Sequence, residues 1–215
     1  MRKWAITGAS GSVSQSLLKL IAHDEEFEIS AFSRNSMEFI PANCNFMRVN
    51  NYESIAFENQ NFDGLLVTQG FFEFKDFVKF SPEEIMESLQ ANMISQIMTV
   101  RNYLQNCAVN KPNKIILFGS TNAYDSGKGT VLYGVAKSAL LTFVKAMNNE
   151  YKDTEIKFTL FSTGTINNPM GHKVPNQDID SLLDLNYIAK KMHQLMIDDS
   201  VAFQPEVTIR RRHIR

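Results

Sequence analysis

The sequence predicts a doubly wound α/β fold, a mostly parallel sheet with helices on both faces. Three observations carry that prediction. Apolar runs of strand length alternate along the chain with segments whose apolar residues recur every three or four positions. The first run ends in a glycine-containing turn that opens a helix, Thr7-Gly8-Ala9-Ser10-Gly11-Ser12-Val13-Ser14. No internal repeat, linker or low-complexity segment interrupts the alternation, so the 215 residues read as one domain.

Each element has its own local signal. Residues 3–7 are a short apolar strand, and Val13, Leu17, Leu20 and Ile21 give the following helix its apolar face. Residues 28–33, 45–49 and 64–68 read as the second, third and fourth strands. Ser81-Pro82-Glu83-Glu84 combines a capping box with proline at the first helical position, and Ile85, Leu89, Met93, Ile97 and Val100 continue it as an apolar stripe. Residues 115–118 are a continuous apolar strand. Residues 133–148 are a helix with Leu140, Leu141, Val144 and Met147 toward the core. Strand 156–161, helix 185–197 and strand 206–209 complete the order.

Composition excludes several classes. A hydrophobic content of 44% with 21% charged residues is that of an ordinary globular protein. The formal charge of −1 supplies no general attraction to nucleic acid or to an anionic membrane. No apolar run reaches bilayer length, and the N-terminus runs directly into a strand without a signal or transit segment. Cys44 and Cys107 have neither metal-ligand nor redox-motif spacing and read as reduced, buried small residues. A cytoplasmic location follows as an expectation, and no metal site is expected.

Ser120, Tyr133 and Lys137 carry the chemistry. Tyr133 and Lys137 lie four apart, on one face of a helix, and Ser120 follows the strand at 115–118. A free tyrosine, with a pKa of about 10, is a poor acid-base group at neutral pH. A neighbouring ammonium favours the phenolate and lowers that value, while a serine hydroxyl can hold a substrate oxygen where charge develops.

The turn after the first strand suits a dinucleotide pyrophosphate, because glycine lets the backbone approach phosphate and a helix N-terminus offers free N–H groups. Only Gly8 and Gly11 are glycine here. Ser12 and Ser14 stand where glycine is expected, weakening the site while offering hydroxyl donors. The second strand ends in Ala31-Phe32-Ser33-Arg34, with a cation where an NAD site places a carboxylate, which favours NADP over NAD.

With these residues assembled, the chain resembles a short-chain dehydrogenase/reductase from residue 3 to about residue 197. The family's Thr-Gly-x-x-x-Gly-x-Gly turn is matched by Thr7, Gly8, Ser12 and Ser14, with Ser10, Gly11 and Val13 between. Its Asn-Asn-Ala-Gly segment falls on Val67-Thr68-Gln69-Gly70, of which only the glycine survives. Its catalytic asparagine falls on Asn92, its serine on Ser120 and its Tyr-x-x-x-Lys pair on Tyr133 and Lys137. Its Pro-Gly motif is matched by Thr163-Gly164, followed by Ile166. The resemblance implies a Rossmann-like sheet of seven strands in the order 3-2-1-4-5-6-7. It also implies hydride transfer between NADP(H) and a carbonyl or alcohol. In reduction the tyrosine would give the proton and the serine orient the oxygen. The lysine would lower the tyrosine pKa and bind the nicotinamide ribose, and the asparagine would hold, through its helix, a water reaching the lysine. A homodimer or homotetramer, paired through the helices carrying Asn92 and Tyr133, is implied likewise.

The departures fall on the cofactor side. The adenine-contacting aspartate expected after the third strand is missing, with Asn50 or Asn51 as replacements or plain loop residues. Residues 168–181 would be a short substrate-covering segment, implying an open, shallow pocket. Phe71, Phe72 and Phe74 either line that pocket or pack on the neighbouring helix, packing being the favoured reading. His172 and Lys173 read as ordinary loop residues. The basic run 210–215 reads as a solvated tail or a subunit contact. A scaffold that retains the fold without efficient chemistry is the alternative reading. An epimerase or dehydratase is disfavoured because its larger sugar-binding C-terminal region has little room here.

Overall fold

The computed structural model describes residues 1–57, 61–200 and 203–211. Seven parallel strands form one sheet in the order β3-β2-β1-β4-β5-β6-β7, namely β1 (Arg2–Thr7), β2 (Phe27–Ser33), β3 (Cys44–Arg48), β4 (Gly64–Val67), β5 (Asn113–Phe118), β6 (Ile156–Thr163) and β7 (Glu206–Ile209). The predicted fold class, strand count and order are those observed, with strand ends shifted by at most two residues. The order reverses direction at β1, whose neighbours are β2 on one side and β4 on the other. A crevice outside the C-terminal strand ends is therefore the expected binding place.

Two apolar layers explain why the sheet is buried on both faces. Helices α1 (Ser12–Leu20) and α5 (Leu185–Ile197) cover one side, with Leu17, Leu18, Ile188 and Met192 against Ile6, Ile29 and Leu66. On the other side, α3 (Ser95–Leu104) and α4 (Val131–Glu150) set Val100, Tyr103, Leu140 and Val144 against Leu65, Ile115 and Phe158. Strand residues of alternating direction feed the two layers in turn. In α1 the core position is Leu18; Leu20, predicted to face the core, is exposed.

The long helix predicted after Ser81 forms with the predicted capping box. Ser81 Oγ accepts the Glu84 N–H at 3.2 Å, and Glu84 Oε2 accepts the Ser81 N–H at 2.7 Å. It is not one α-helix, however. α2 (Pro82–Leu89) runs into a π-helical turn, Gln90–Ile94, before α3 begins. The extra residue rotates the face presented to the protein. Ile85, Leu89, Met93 and Ile97 are left only half-buried, while the buried face carries Ser88, Asn92, Ser95, Gln96 and Thr99. This polar seam was invisible to a count of apolar positions.

Candidate active site

One cleft of about 680 Å³ lies along the C-terminal strand ends. It contains every sequence-predicted site residue except Ser33, and it brings together the residues predicted to be catalytic. Ser120 ends the stretch after β5 and caps the turn Thr121–Ala123, accepting the Asn122 N–H at 3.2 Å. Tyr133 and Lys137 project from the first turns of α4, and the Ser120 hydroxyl lies near enough to the Tyr133 phenol to act on its ionisation. Lys137 Nζ donates to the Phe118 carbonyl at 2.7 Å and lies 5.5 Å from the centre of the Tyr133 ring. Phe72 meets that ring edge-on, with centroids 5.2 Å apart. The phenol is thus held from two sides.

The electrostatics differ from the prediction. Burial pushes the Tyr133 phenol up to about 12, with the Ser120 hydrogen bond acting weakly in the opposite direction. Burial also pulls Lys137 down to about 7. A lysine that is half neutral at pH 7 is a weak source of field, and desolvation of the phenolate outweighs it. The expected lowering of the tyrosine pKa is not present in this arrangement.

Asn92 sits in the π-helical turn, fully buried. Its Oδ1 accepts the Phe71 N–H at 3.0 Å and its Nδ2 donates to the Ser88 carbonyl at 3.0 Å. The Asn92 carbonyl itself accepts Gln96 Nε2 at 3.3 Å. Gly70 is what allows this approach. It has φ of +152°, and a Cβ there would come within 2.6 Å of Asn92 Oδ1. Gln96 also donates to the Gln69 carbonyl at 2.8 Å, and Gln69 Nε2 reaches Thr99 Oγ1 at 3.0 Å. The seam therefore ties α3 to the loop after β4. The repeated polar spacing Ser88, Asn92, Gln96 and Thr99 was the signal that could have revealed it.

On the cofactor side, Gly8 has φ of +75°, and a Cβ there would lie 2.5 Å from the Gln69 nitrogen. The N-terminus of α1 follows with Gly11 in the capping position and no side chain capping it. Gly11, Ser12 and Val13 at this end line the cleft, where a helix N-terminus has N–H groups without intrahelical partners. The serines are partnered. Ser14 Oγ lies 2.8 Å from Thr68 Oγ1, Ser12 Oγ accepts Asn168 Nδ2 at 2.9 Å, and Ser10 Oγ accepts Ser33 Oγ at 2.7 Å. Ser14 borders the cleft but is completely buried, with its hydroxyl engaged by Thr68. Ser33, predicted to touch cofactor, is also completely buried and instead positions Ser10. Gln69 likewise directs its side chain inward, accepting Thr7 Oγ1 at 2.5 Å.

Arg34 lines the far end of the cleft and stacks over Tyr52, 5.6 Å from the ring centre. Tyr52 was missed, and neither Asn50 nor Asn51 lines the cleft; Asn51 Oδ1 instead accepts the Ser54 N–H. Thr163, Gly164 and Ile166 line the cleft after β6. The segment 168–181 contributes Met170, Val174, Asn176 and Gln177 to the wall of the cleft. Phe72 and Phe74 line it as well, against the favoured reading, while His172 and Lys173 do not. Of the basic run, Arg210 stacks on Tyr124 and Arg211 lines the cleft; residues 212–215 lie outside the described residues. Cys44 and Cys107 are half-buried and free, with burial raising both thiols to about 11. Among the described residues no helix is long and apolar enough to cross a membrane, and no group of His, Cys, Asp or Glu could hold a metal ion.

A sheet with this strand order and a serine, tyrosine and lysine converging at its C-terminal edge defines a class of oxidoreductase, and comparison with known proteins gives the family. The family model described as short chain dehydrogenase matches residues 6–179, and the chain belongs to that family. It is 21% identical over 196 residues to carbonyl reductase family member 4 of Xenopus laevis, spanning 84% of this chain and 82% of that protein. It is 24% identical over 144 residues to the uncharacterized oxidoreductase YmfI of Bacillus subtilis, spanning 67% of this chain and 60% of that one. Among solved structures it superposes on a short-chain dehydrogenase/reductase from Vibrio parahaemolyticus with a TM-score of 0.80, 17% identity and coverage of 97% and 100%. It superposes on an alcohol dehydrogenase from the archaeon Thermococcus sibiricus, complexed with 5-hydroxy-NADP, with a TM-score of 0.81, 17% identity and coverage of 100% and 98%.

Proposed function

We propose that this protein is an NADP-dependent reductase of a carbonyl compound, folded as a single domain and working in the cytoplasm as a homodimer or homotetramer. The observation that carries the reading is the convergence of Ser120, Tyr133 and Lys137 in the one large cleft, whose other end is Arg34 over Tyr52. The Thermococcus enzyme, solved with an NADP derivative, lends the cofactor assignment support. So do the chain's own residues. Gly8 leaves the turn open to phosphate, the uncapped N-terminus of α1 supplies donors, and Arg34 offers a guanidinium to a 2′-phosphate. The cofactor supplies the hydride. The protein holds and moves the proton. Tyr133 keeps its proton throughout the neutral range, because its pKa is about 12, and is therefore ready to donate to the substrate oxygen. Ser120 orients that oxygen beside the phenol. Lys137, anchored on the Phe118 carbonyl, would contact the nicotinamide ribose and, when protonated, be the source of the proton that restores the tyrosine once it has given up its own. Exposed Met86 on α2 and Val135 on α4 suit pairing of subunits along these helices.

The test is a titration of NADPH against NADH, followed by turnover assays with aldehydes, ketones and diketones. NADPH is expected to bind about ten-fold more tightly or better, as a charge-assisted contact supplies. Absence of binding by either nucleotide, with no turnover, overturns the proposal.

A further inference from the structure

The charge of the cleft wall is one-sided. The chain as a whole is almost balanced, with 22 Lys and Arg against 23 Asp and Glu. Among the described residues that line the cleft, however, there are four cations, Arg34, Lys128, Lys137 and Arg211, and no Asp or Glu. Two of these have assigned roles: Arg34 at the adenosine end and Lys137 at the reacting centre. Lys128 and Arg211 do not.

Arg211 is the more telling. It follows β7, the edge strand, while Arg34 follows β2 at the other side of the sheet. Five strand spacings separate the two strands, about 24 Å at the usual interval. Arg211 is also four spacings, about 19 Å, from β1, whose turn feeds the uncapped helix end. Neither the 2′-phosphate nor the pyrophosphate explains it. Its backbone instead lies beside Gly164, whose Cβ, if present, would meet the Arg211 nitrogen at 3.7 Å. Its Nη1 donates to Gln177 Oε1 at 2.6 Å and to Ser181 Oγ at 3.4 Å. Both acceptors are neutral. Among the described residues no carboxylate pairs with this half-buried guanidinium, and Nε and Nη2 meet no acceptor. Lys128 stands on the loop between Ser120 and Tyr133, exposed at the mouth, within electrostatic reach of Asp76 but with no ion pair of its own among the described residues.

From this geometry we infer that the substrate is an anionic oxo compound, whose carboxylate or phosphate is taken by Arg211 with Lys128 adding charge at the mouth. The inference rests on the reductase reading and narrows its substrate class. A guanidinium fixed by Gln177 and Ser181 keeps a fork of N–H donors free for two oxygens of one anion, which both carboxylate and phosphate provide. Arg211 is in this view a specificity-determining residue. Its partners Gln177 and Ser181 lie on the segment 168–181, so an anion on Arg211 would sit beside that segment.

Matched pairs of substrates test it, each with NADPH: 3-oxobutanoate against its methyl ester, and dihydroxyacetone phosphate against dihydroxyacetone. In the wild-type protein kcat/KM for one charged member exceeds its neutral partner by about ten-fold or more, mainly through KM. Preference in the first pair assigns carboxylate, and preference in the second assigns phosphate. Arg211→Gln reduces that ratio toward one, and Arg211→Lys retains part of it. NADPH affinity, read by fluorescence titration on the same variants, separates the sites. Loss of NADPH binding equal to the loss of charged-substrate turnover would put Arg211 in the cofactor site and overturn the inference. Neutral members used as well as charged ones, or a preference that survives Arg211→Gln, overturns it while leaving the reductase reading in place. No turnover of any of the four compounds overturns the inference, and only absence of NADPH binding beside it overturns the reductase reading as well.

Discussion

The two halves of the cleft follow the family pattern to different degrees. On the β5–α4 side, Ser120, Tyr133 and Lys137 occupy their places unaltered, and Asn92 joins them from the π-helical turn. On the β1–α1 and β4 side, two glycines have become serine and three of the four residues from Val67 to Gly70 differ. The difference has a physical reason. Proton transfer needs particular functional groups at particular positions, and no other side chain does the work of a phenol beside an ammonium. Phosphate binding at a helix N-terminus asks mainly for backbone N–H groups and room. A small residue can replace glycine there if its new polar atom finds a partner inside the protein. Ser14 with Thr68 and Ser12 with Asn168 are such partnerships.

The largest expected effect comes from breaking the unaltered half. Tyr133→Phe removes one hydroxyl and leaves the ring that meets Phe72 edge-on. Carbonyl reduction should fall about 10³-fold, the scale of a lost general acid. NADPH affinity and the thermal midpoint should stay close to those of the wild type. Turnover that survives this substitution would remove the chemical difference between the halves and favour a scaffold that kept only the fold.

The second test concerns the stability cost carried by the catalytic half. Burial lowers Lys137 to about 7, so its folded-state pKa lies below that of a lysine in the unfolded chain, about 10.4. Between those values the unfolded chain binds more protons than the folded one, and stability rises with pH. Below about 7 both states are charged, and the folded protein bears the whole cost of burying an ammonium. Lys137→Met removes that cost but also the hydrogen bond to the Phe118 carbonyl, worth about 1 kcal/mol. The variant should be the more stable protein at pH 6, and its advantage should shrink as the pH approaches 10. Urea unfolding at pH 6 and pH 9 reads this directly. A variant equally or less stable at pH 6 would show that Lys137 is not held against its charge.

The sequence made the fold legible because each element carried a local signal: strand-length apolar runs, a capping box at Ser81, helical periodicity from Leu185 to Ile197. Tyr133 and Lys137 were legible because they share one helix face. What was missed is non-local. Strand β2 is buried on both faces after Glu28, so alternation could not show that Ser33 points inward while Arg34 reaches the cleft. Tyr52 and Arg211 arrive from loops whose position depends on the whole sheet. The inward turn of Asn92 comes from a π-helical insertion that leaves no apolar signature. The pKa values escaped for a similar reason. Spacing put the ammonium near the phenol, but only the packed structure shows that desolvation outweighs their attraction.

The smallest predicted effect tests the altered half directly. If Ser14 and Thr68 act as one replacement unit, their contributions to stability must be coupled. Thr68→Val leaves the Ser14 hydroxyl fully buried with its partner gone, and should cost about 1–2 kcal/mol. Ser14→Ala is milder, because Thr68 Oγ1 still donates to the Thr7 carbonyl at 2.7 Å. The double variant has no stranded hydroxyl and should be more stable than the sum of the single losses predicts, by about 0.5–1 kcal/mol. Four urea-unfolding curves measure that coupling. Additive losses would mean that the serine in the glycine turn is tolerated by itself, and that the two halves of the cleft differ only in how much room each leaves. A positive coupling would instead show that the cofactor side accepts new polar groups in pairs, the one change of residue permitting the other.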